Sequence, residues 1–314
     1  MHQNRSQRKT NPSQSEGPPA AALVAVALAN IALAFGPLFV RLADVGPVAA
    51  GFWRLSLATP VLLGIAFATG GKPIASARGL WGVLAIAGVA FAGDLASWHI
   101  GIVRTTLANS TLFGNSATFI YPIYGFIAAR MWPTKPQAAA LLLAAIGGGL
   151  LLGRSAELSS RHLAGDLFCL LAGVLYAVYF IFMARAREAM APVPALALSS
   201  IATIPPLLML AFALGEQVMP HNWWPLIALA VVSQLIGQGL MIYALGHLSP
   251  LIVGIALLIQ PVVAATLGWI IYDERLAAAD LFGALLVAVA LVLVRGGAKK
   301  PEALAPGAEE RKSG

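Results

Sequence analysis

Two charged residues interrupt long apolar runs of this sequence and are its first candidates for chemistry. Arg54 and Asp94 each lie about seven residues from one end of a run, which at about 1.5 Å per helical residue is a depth of roughly 10 Å. Charged side chains at such depth pair with one another or face a polar ligand. The sequence therefore predicts either a structural ion pair between Arg54 and Asp94 or a site where they meet the two charges of a zwitterion.

Neutral polar and aromatic side chains extend this candidate site. Asn115 follows Thr111 by four residues and Gln238 follows Gln234 by four, so each pair lies on one helical face. The larger amides are interpreted as walls of a cavity, whereas small hydroxyl residues such as Thr111 are interpreted as bonding to neighbouring helices. The candidate binding residues are Arg54, Asp94, Trp98, Asn115, Tyr176, Tyr179, Gln234, Gln238 and Gln260.

Titratable and metal-binding chemistry is sparse elsewhere in the chain. His99 and His247 lie near the ends of apolar runs, where we expect solvent to reach them. Cys169 is the one cysteine, so it has no partner for a disulfide or a metal site. No metalloprotease motif, nucleophile–base pair or phosphate-binding loop is found. The sequence thus predicts neither a cofactor nor a metal, and it argues against an intramembrane enzyme.

The elements that must position these residues are apolar helices. Hydrophobic residues make up 59% of the 314 and charged residues 11%, against about 25% charged in an average soluble domain. This composition excludes a soluble enzyme, a disordered protein and a nucleic-acid binder. Runs of about 20 apolar residues cross a bilayer as helices, whereas barrel strands alternate in polarity. Ten such runs predict an all-α integral membrane protein, at 20–40, 47–69, 80–101, 106–129, 137–153, 164–184, 194–214, 223–245, 251–272 and 277–294.

The positions of lysine and arginine predict the orientation. Of the 20 basic residues, 14 lie on the side of the two termini, five lie on the other side, and Arg54 lies within a run. Connections rich in Lys and Arg remain in the cytoplasm. The sequence therefore predicts a multi-pass protein of the inner (plasma) membrane with both termini cytoplasmic.

The two halves of the chain resemble each other. Residues 140–154 are similar to residues 284–295, and Pro122 aligns with Pro261 at nearly the same offset. Five helices per half is an odd number, so the second half must cross the membrane in the opposite sense. Because proline lacks an amide hydrogen, Pro122 and Pro261 are predicted hinges. The predicted organisation is a disordered tail at 1–19, inverted five-helix repeats at 20–154 and 164–295, and a disordered tail at 296–314.

These features resemble the EamA branch of the drug/metabolite transporter superfamily. The resemblance covers about residues 20–296 and rests on the following set: Arg54, Pro122, Gly165, Asp166, Tyr176, Pro261, Asp273, Glu274, Arg275 and Gly283. It implies ten helices in two inverted halves. Within the family the chain is most similar to the amino-acid exporters, including the aromatic amino-acid exporter. It departs from the family at Ala129–Pro133 and at Phe35–Pro37, where a Gly-Glu pair and a tryptophan are common.

The predicted function is secondary transport, and we expect a monomer with a small-molecule substrate. Anionic cargo calls for several basic residues at depth, and only Arg54 is so placed. The count of buried bases thus favours export of zwitterionic or neutral metabolites such as amino acids, through a cavity lined by six of the ten runs. The alternatives are a nucleotide-sugar or phosphate-ester antiporter of the same superfamily, a channel, or an intramembrane enzyme.

Overall fold

The computed structural model describes residues 19–70, 72–139, 141–143, 145–146 and 160–273, with a few single residues between 278 and 289. All regular elements within these residues are helical. Seven helices are long and apolar enough to span a membrane: α1 (Ala20–Leu42), α2 (Pro47–Ala68), α3 (Trp81–Ile102), α5 (Ser160–Arg187), α6 (Pro192–Ala213), α7 (Trp224–Leu245) and α8 (Pro250–Tyr272). The span α4 consists of α4a (Leu107–Gly114) and α4b (Ala117–Ala128). The runs predicted at 137–153 and 277–294 lie largely outside the described residues.

Helix ends follow from local sequence. The first turns of α2, α6 and α8 contain proline, at Pro47, Pro192 and Pro250. Proline is tolerated there because an N–H group in the first turn has no hydrogen-bond acceptor within the helix. Gly70 and Gly215 follow the ends of α2 and α6 with φ of 76° and 65°, a conformation that favours glycine. These residues set the lengths of the spans, and with them the depth of every polar side chain.

The distribution of polarity is the reverse of that in a soluble protein. Large apolar side chains such as Phe67, Met209 and Ile270 are more than half exposed on the outside of the bundle. Arginine, aspartate and amide side chains lie inside it instead. A bilayer favours this arrangement because polar groups are costly in contact with hydrocarbon. The fold is therefore that of a multi-pass membrane protein.

Helix contacts between the two halves of the chain come in matching pairs. The pair α3–α5 has the counterpart α7–α1, and α3–α6 has the counterpart α7–α2. The pairs α2–α6 and α4–α8 join spans that are equivalent in the predicted repeat. In the second of these, α4a packs on the C-terminal segment of α8 and α4b on its N-terminal segment, so α4 and α8 run antiparallel.

Three of the described spans are interrupted, α1 at the single residue Phe35 and two others at matching places. The helix of α4 breaks at Asn115 and Ser116. The helix of α8 breaks at Leu257 and Leu258, giving α8a (Pro250–Ala256) and α8b (Ile259–Tyr272). Broken helices free backbone groups at membrane depth, and in many transporters they mark the binding site.

The loops 43–46 and 214–223 are bound together in a contact that we call the latch. Glu216 accepts hydrogen bonds from the backbone N–H groups of Val48 (3.2 Å) and Ala49 (2.8 Å) at the start of α2. Asp44 accepts from the N–H groups of residues 221 and 222, and the Trp53 indole donates to the carbonyl of Val218 at 2.7 Å. The latch closes this end of the α2–α6 pair.

Candidate functional site

Side chains from seven of the eight spans in the described part of the chain converge on one narrow cavity. Its wall consists of Leu33, Arg54, Phe91, Asp94, Leu95, Trp98, Gly114, Asn115, Tyr176, Gln238 and Gln260. Seven of the nine predicted binding residues are in this wall, and the other two, Tyr179 and Gln234, lie directly behind it. All of its polar side chains are buried, and the space has room for about two water molecules. The cavity is therefore closed in this structure.

Arg54 enters the cavity from α2 and is held by neutral partners. Its Nε donates to Gln234 Oε1 at 2.9 Å, and its Nη2 donates to the carbonyl of Ser233 at 3.4 Å. Its guanidinium lies 5.8 Å from the ring centre of Phe91. Both polar partners belong to residues 229–238 of α7, a π-helical segment, and such segments often occur at functional sites.

Asp94 faces the same cavity from α3, but the predicted ion pair with Arg54 does not form among the described residues. The reason is that α2 packs against α7, which supplies neutral acceptors to the guanidinium. No hydrogen bond within the described part of the chain goes to the Asp94 carboxyl group. The cavity thus contains an arginine and an aspartate that are not joined in an ion pair.

Three hydrogen-bond donors on the cavity wall are also without a partner in the described part of the chain. They are Nη1 of Arg54, Nδ2 of Asn115 and Nε2 of Gln238. Gln238 uses its other polar atom, since Oε1 accepts from the Tyr176 hydroxyl at 3.1 Å. Buried donors without a partner cost about 1–3 kcal/mol each, and in a native structure they call for an explanation.

The aromatic side of the cavity is a stack of rings. Phe91 of α3 lies against Tyr179 of α5, with ring centres 4.4 Å apart and planes 14° apart. Tyr176 lies 6.2 Å from the same phenylalanine and 4.1 Å from Phe180. Tyr179 thus supports the wall from behind. Phe91 belongs to the wall although it was not among the predicted binding residues.

The interruption of α4 brings Asn115 to the cavity beside Trp98. The Trp98 indole donates to the carbonyl of Ser110 at 3.0 Å. A Cβ on Gly114 would lie 2.8 Å from the indole nitrogen, so only glycine allows this close approach. The break in the helix and the tryptophan therefore fix the position of Asn115 together.

The interruption of α8 has a corresponding polar contact. Gln260 donates through Nε2 to Asn30 Oδ1 of α1 at 2.7 Å, and Asn30 donates to the carbonyl of Val26 at 2.6 Å. Both amides are buried. Asn30 was missed as a site residue, although a lone amide in an otherwise apolar run is the signal that could have identified it.

The predicted hinge prolines lie C-terminal to the two interruptions. Pro261 occupies the first turn of α8b, where its missing N–H leaves no carbonyl unbonded. Pro122 lies within α4b and packs against Gly254 of α8a, where a Cβ would approach its ring to 2.6 Å. The helices break four to seven residues before the prolines, at Asn115 and at Leu257.

Two other buried polar groups have structural partners. His99, expected to be solvated, is buried, because α3 continues to Ile102 and the start of α2 covers the ring. Its Nδ1 lies 2.8 Å from the carbonyl oxygen of Pro47. Asp166 of α5 accepts from the Thr105 hydroxyl at 2.6 Å, which ties the second half to the connection before α4. His247 is exposed, as expected.

Comparisons with known proteins agree with this architecture. The model of the EamA-like transporter family matches residues 163–296. An uncharacterized transporter of Archaeoglobus fulgidus is 24% identical over 242 residues, which cover 75% of this chain and 83% of that protein. A protein of known crystal structure shares the fold with a TM-score of 0.70 at 16% identity, covering 89% of this chain and 98% of its own. Together with the multi-pass helical fold, these similarities support a membrane transporter in general.

Proposed function

We propose that this membrane transporter, whose residues 163–296 match the EamA-like family, exports small zwitterionic or neutral metabolites. Amino acids, including aromatic ones, are the proposed cargo. The observation that carries the proposal is the closed cavity, in which unpartnered polar groups lie beside aromatic rings between the two halves of the bundle. Small-molecule sites combine mostly apolar walls with a few placed polar groups in this way.

Alternating access between inverted repeats is the proposed mechanism. Two features support it: the helix contacts between the halves come in matching pairs, and α4 and α8 break at corresponding places. The start of each broken span is also similar, since Thr106 accepts from the N–H of Asn109 and Ser249 accepts from the N–H of Ile252. Rocking of one half against the other would open the cavity first to one side of the membrane and then to the other.

The sides of the membrane follow from the basic residues. With both termini in the cytoplasm, the latch lies at the outer surface, and the connection after α2 lies inside. The latch is formed in this structure, so the proposed outer exit is shut. Export then requires the latch to break after cargo has entered from the cytoplasm.

A nucleotide-sugar or phosphate-ester antiporter fits the cavity less well. Arg54 is the one basic side chain in the cavity wall, as far as the described residues show, and Asp94 stands in the same wall. A phosphate with nearly two negative charges would meet one arginine and one repelling carboxylate. The charge balance of the wall therefore favours cargo without net charge.

Uptake into proteoliposomes tests the proposal. Purified protein is reconstituted and given labelled metabolites from each class, with and without an imposed pH gradient. We expect saturable uptake of one or more amino acids above protein-free vesicles. Uptake confined to phosphate esters, or none for any class, would contradict the proposed function.

A further inference from the structure

The cavity contains an arginine and an aspartate and leaves both without an ion-pair partner in the described part of the chain. Arg54 is surrounded by an amide, a backbone carbonyl and an aromatic ring, all of them neutral. Asp94 has no hydrogen bond in the described part of the chain. Burying an ion without a partner is costly, so a ligand that supplies both missing charges would be bound strongly.

The three unpartnered donors indicate which chemical group of a ligand would bind beside Arg54. Nη1 of Arg54, Nδ2 of Asn115 and Nε2 of Gln238 are N–H donors on α2, α4 and α7, and each needs an oxygen acceptor. A carboxylate offers two oxygens with about four acceptor positions and matches the planar fork of an arginine. The donors come from both halves of the bundle, so one carboxylate would join the halves.

Asp94 specifies the opposite group. A carboxylate accepts hydrogen bonds and donates none when ionised, so the complementary partner is an ammonium with three donors. The rings of Phe91, Trp98 and Tyr176 stand in the same wall and supply apolar surface for the remainder of a ligand. A purely cationic ligand would leave the three donors unpartnered, a purely anionic one would be repelled by Asp94, and a neutral one would leave both charges unmet.

We infer that the cavity selects zwitterions, binding a carboxylate at Arg54, Asn115 and Gln238 and an ammonium at Asp94. This inference rests on the proposed function, which left zwitterionic and neutral cargo open. Because the cavity is closed and narrow, the ligand enters only when the halves separate, and the two ends of the zwitterion then draw both halves together.

Ligand-induced thermal stabilisation of the full-length purified protein tests the inference, because a ligand that binds only the folded state raises its stability. The twenty protein amino acids are measured first. Each one that binds is compared with two matched analogues, the amine without the carboxylate and the acid without the amine. For phenylalanine these are phenethylamine and 3-phenylpropanoate. We expect each analogue to bind at least about tenfold more weakly than the zwitterion.

Variants then assign the two ends separately. Asp94→Asn should remove the preference for phenylalanine over 3-phenylpropanoate and keep the preference over phenethylamine. Asn115→Ala and Gln238→Leu should do the reverse. Thr203→Val is the control, since Thr203 is buried in α6, bonds among the described residues only to the Ser199 carbonyl of its own helix, and is not in the cavity wall. A preference is a ratio measured on one protein sample, so a loss of folded yield does not imitate these results.

Three outcomes overturn the inference: no stabilisation by any of the twenty amino acids, analogues that bind as well as the zwitterion, or variants that weaken all ligands equally. The proposed function fails differently. Transport of a neutral cargo with no zwitterion preference refutes the inference and leaves the transporter intact. Selective zwitterion binding without any flux supports the inference and refutes the transporter.

Discussion

The latch allows a quantitative prediction about which end of the protein opens. The Glu216 carboxylate accepts from the N–H groups of Val48 and Ala49, both in the first turn of α2, where the helix dipole favours negative charge. Removing such a cap costs about 0.5–2 kcal/mol. Because Glu216 is only half-buried, we take about 1 kcal/mol for Glu216→Gln, which keeps one oxygen. We take about 2 kcal/mol for Glu216→Ala, which keeps none.

These energies translate into populations. If the latch forms only when this end is closed, then 1 kcal/mol shifts the closed–open equilibrium about fivefold and 2 kcal/mol about thirtyfold. Spin labels on Leu42 and Met219, which are exposed on the two sides of the latch, report the change as a growing long-distance population. Pulsed electron–electron double resonance spectroscopy of the protein in lipid nanodiscs measures that population directly.

The matched control is Glu188→Gln, the same substitution at an exposed residue in the connection after α5. It should leave the distance distribution as in the parent. Equal distributions for the parent and both Glu216 variants would refute the latch, and so would a change of the same size in the Glu188 variant.

Three further predictions concern pH, packing and topology. Burial raises the pKa of the Asp44 carboxyl group, but the hydrogen bonds from the N–H groups of residues 221 and 222 outweigh this effect and lower the pKa below 3.8. Asp44 therefore stabilises the folded protein above that pH, and this stabilisation is lost as the pH falls through the lowered pKa. In thermal unfolding experiments, the Asp44→Asn variant should therefore lose less stability than the parent when the pH falls below about 4. Identical curves of stability against pH for the two proteins would contradict this. Asn30→Val or Gln260→Leu alone should cost about 1–3 kcal/mol because the remaining amide keeps a buried polar atom that has lost its hydrogen-bond partner. The double variant should lose less than the sum of the two, and additive losses would show that the amides do not interact. On intact cells, an impermeant thiol reagent should label a single cysteine at His221 and spare one at Ser76, and the reverse result would invert the topology.

The residues that meet in the cavity could be predicted from the sequence because the position of a residue along its span depends only on where the helix begins and ends. Proline and glycine at the ends of α2 and α6 set those limits. The seven predicted residues that meet in the cavity were identified from polar types inside apolar runs. That pattern depends on the bilayer and needs no knowledge of which helices touch.

Neighbour relations were not predictable in the same way. Arg54 and Asp94 are on consecutive helices, which suggested an ion pair, yet α2 packs more extensively on α6 than on α3 and also reaches Gln234 of α7. A partner 180 residues away follows from tertiary packing, which no local spacing encodes. The same reason explains why Asn30 was missed, since its importance comes from Gln260 across the bundle.

The places where α4 and α8 break also depend on packing. Proline has no amide hydrogen to donate to a helical hydrogen bond, which suggested bends at Pro122 and Pro261. The observed breaks come earlier, and in α4 the break lies where Gly114 meets the Trp98 indole. Pro122 and Pro261 therefore lie in spans that are interrupted, but the contacting side chains decide at which residue each span breaks.

The measurement that tests the central claim most directly is counterflow in proteoliposomes. Vesicles loaded with an unlabelled amino acid that binds the protein are diluted into a trace of the same compound in labelled form. A carrier with one cavity exposed alternately to each side predicts that internal substrate accelerates uptake of label and that uptake saturates with concentration. Uptake that rises linearly with concentration and is indifferent to internal substrate would show a channel and contradict the account.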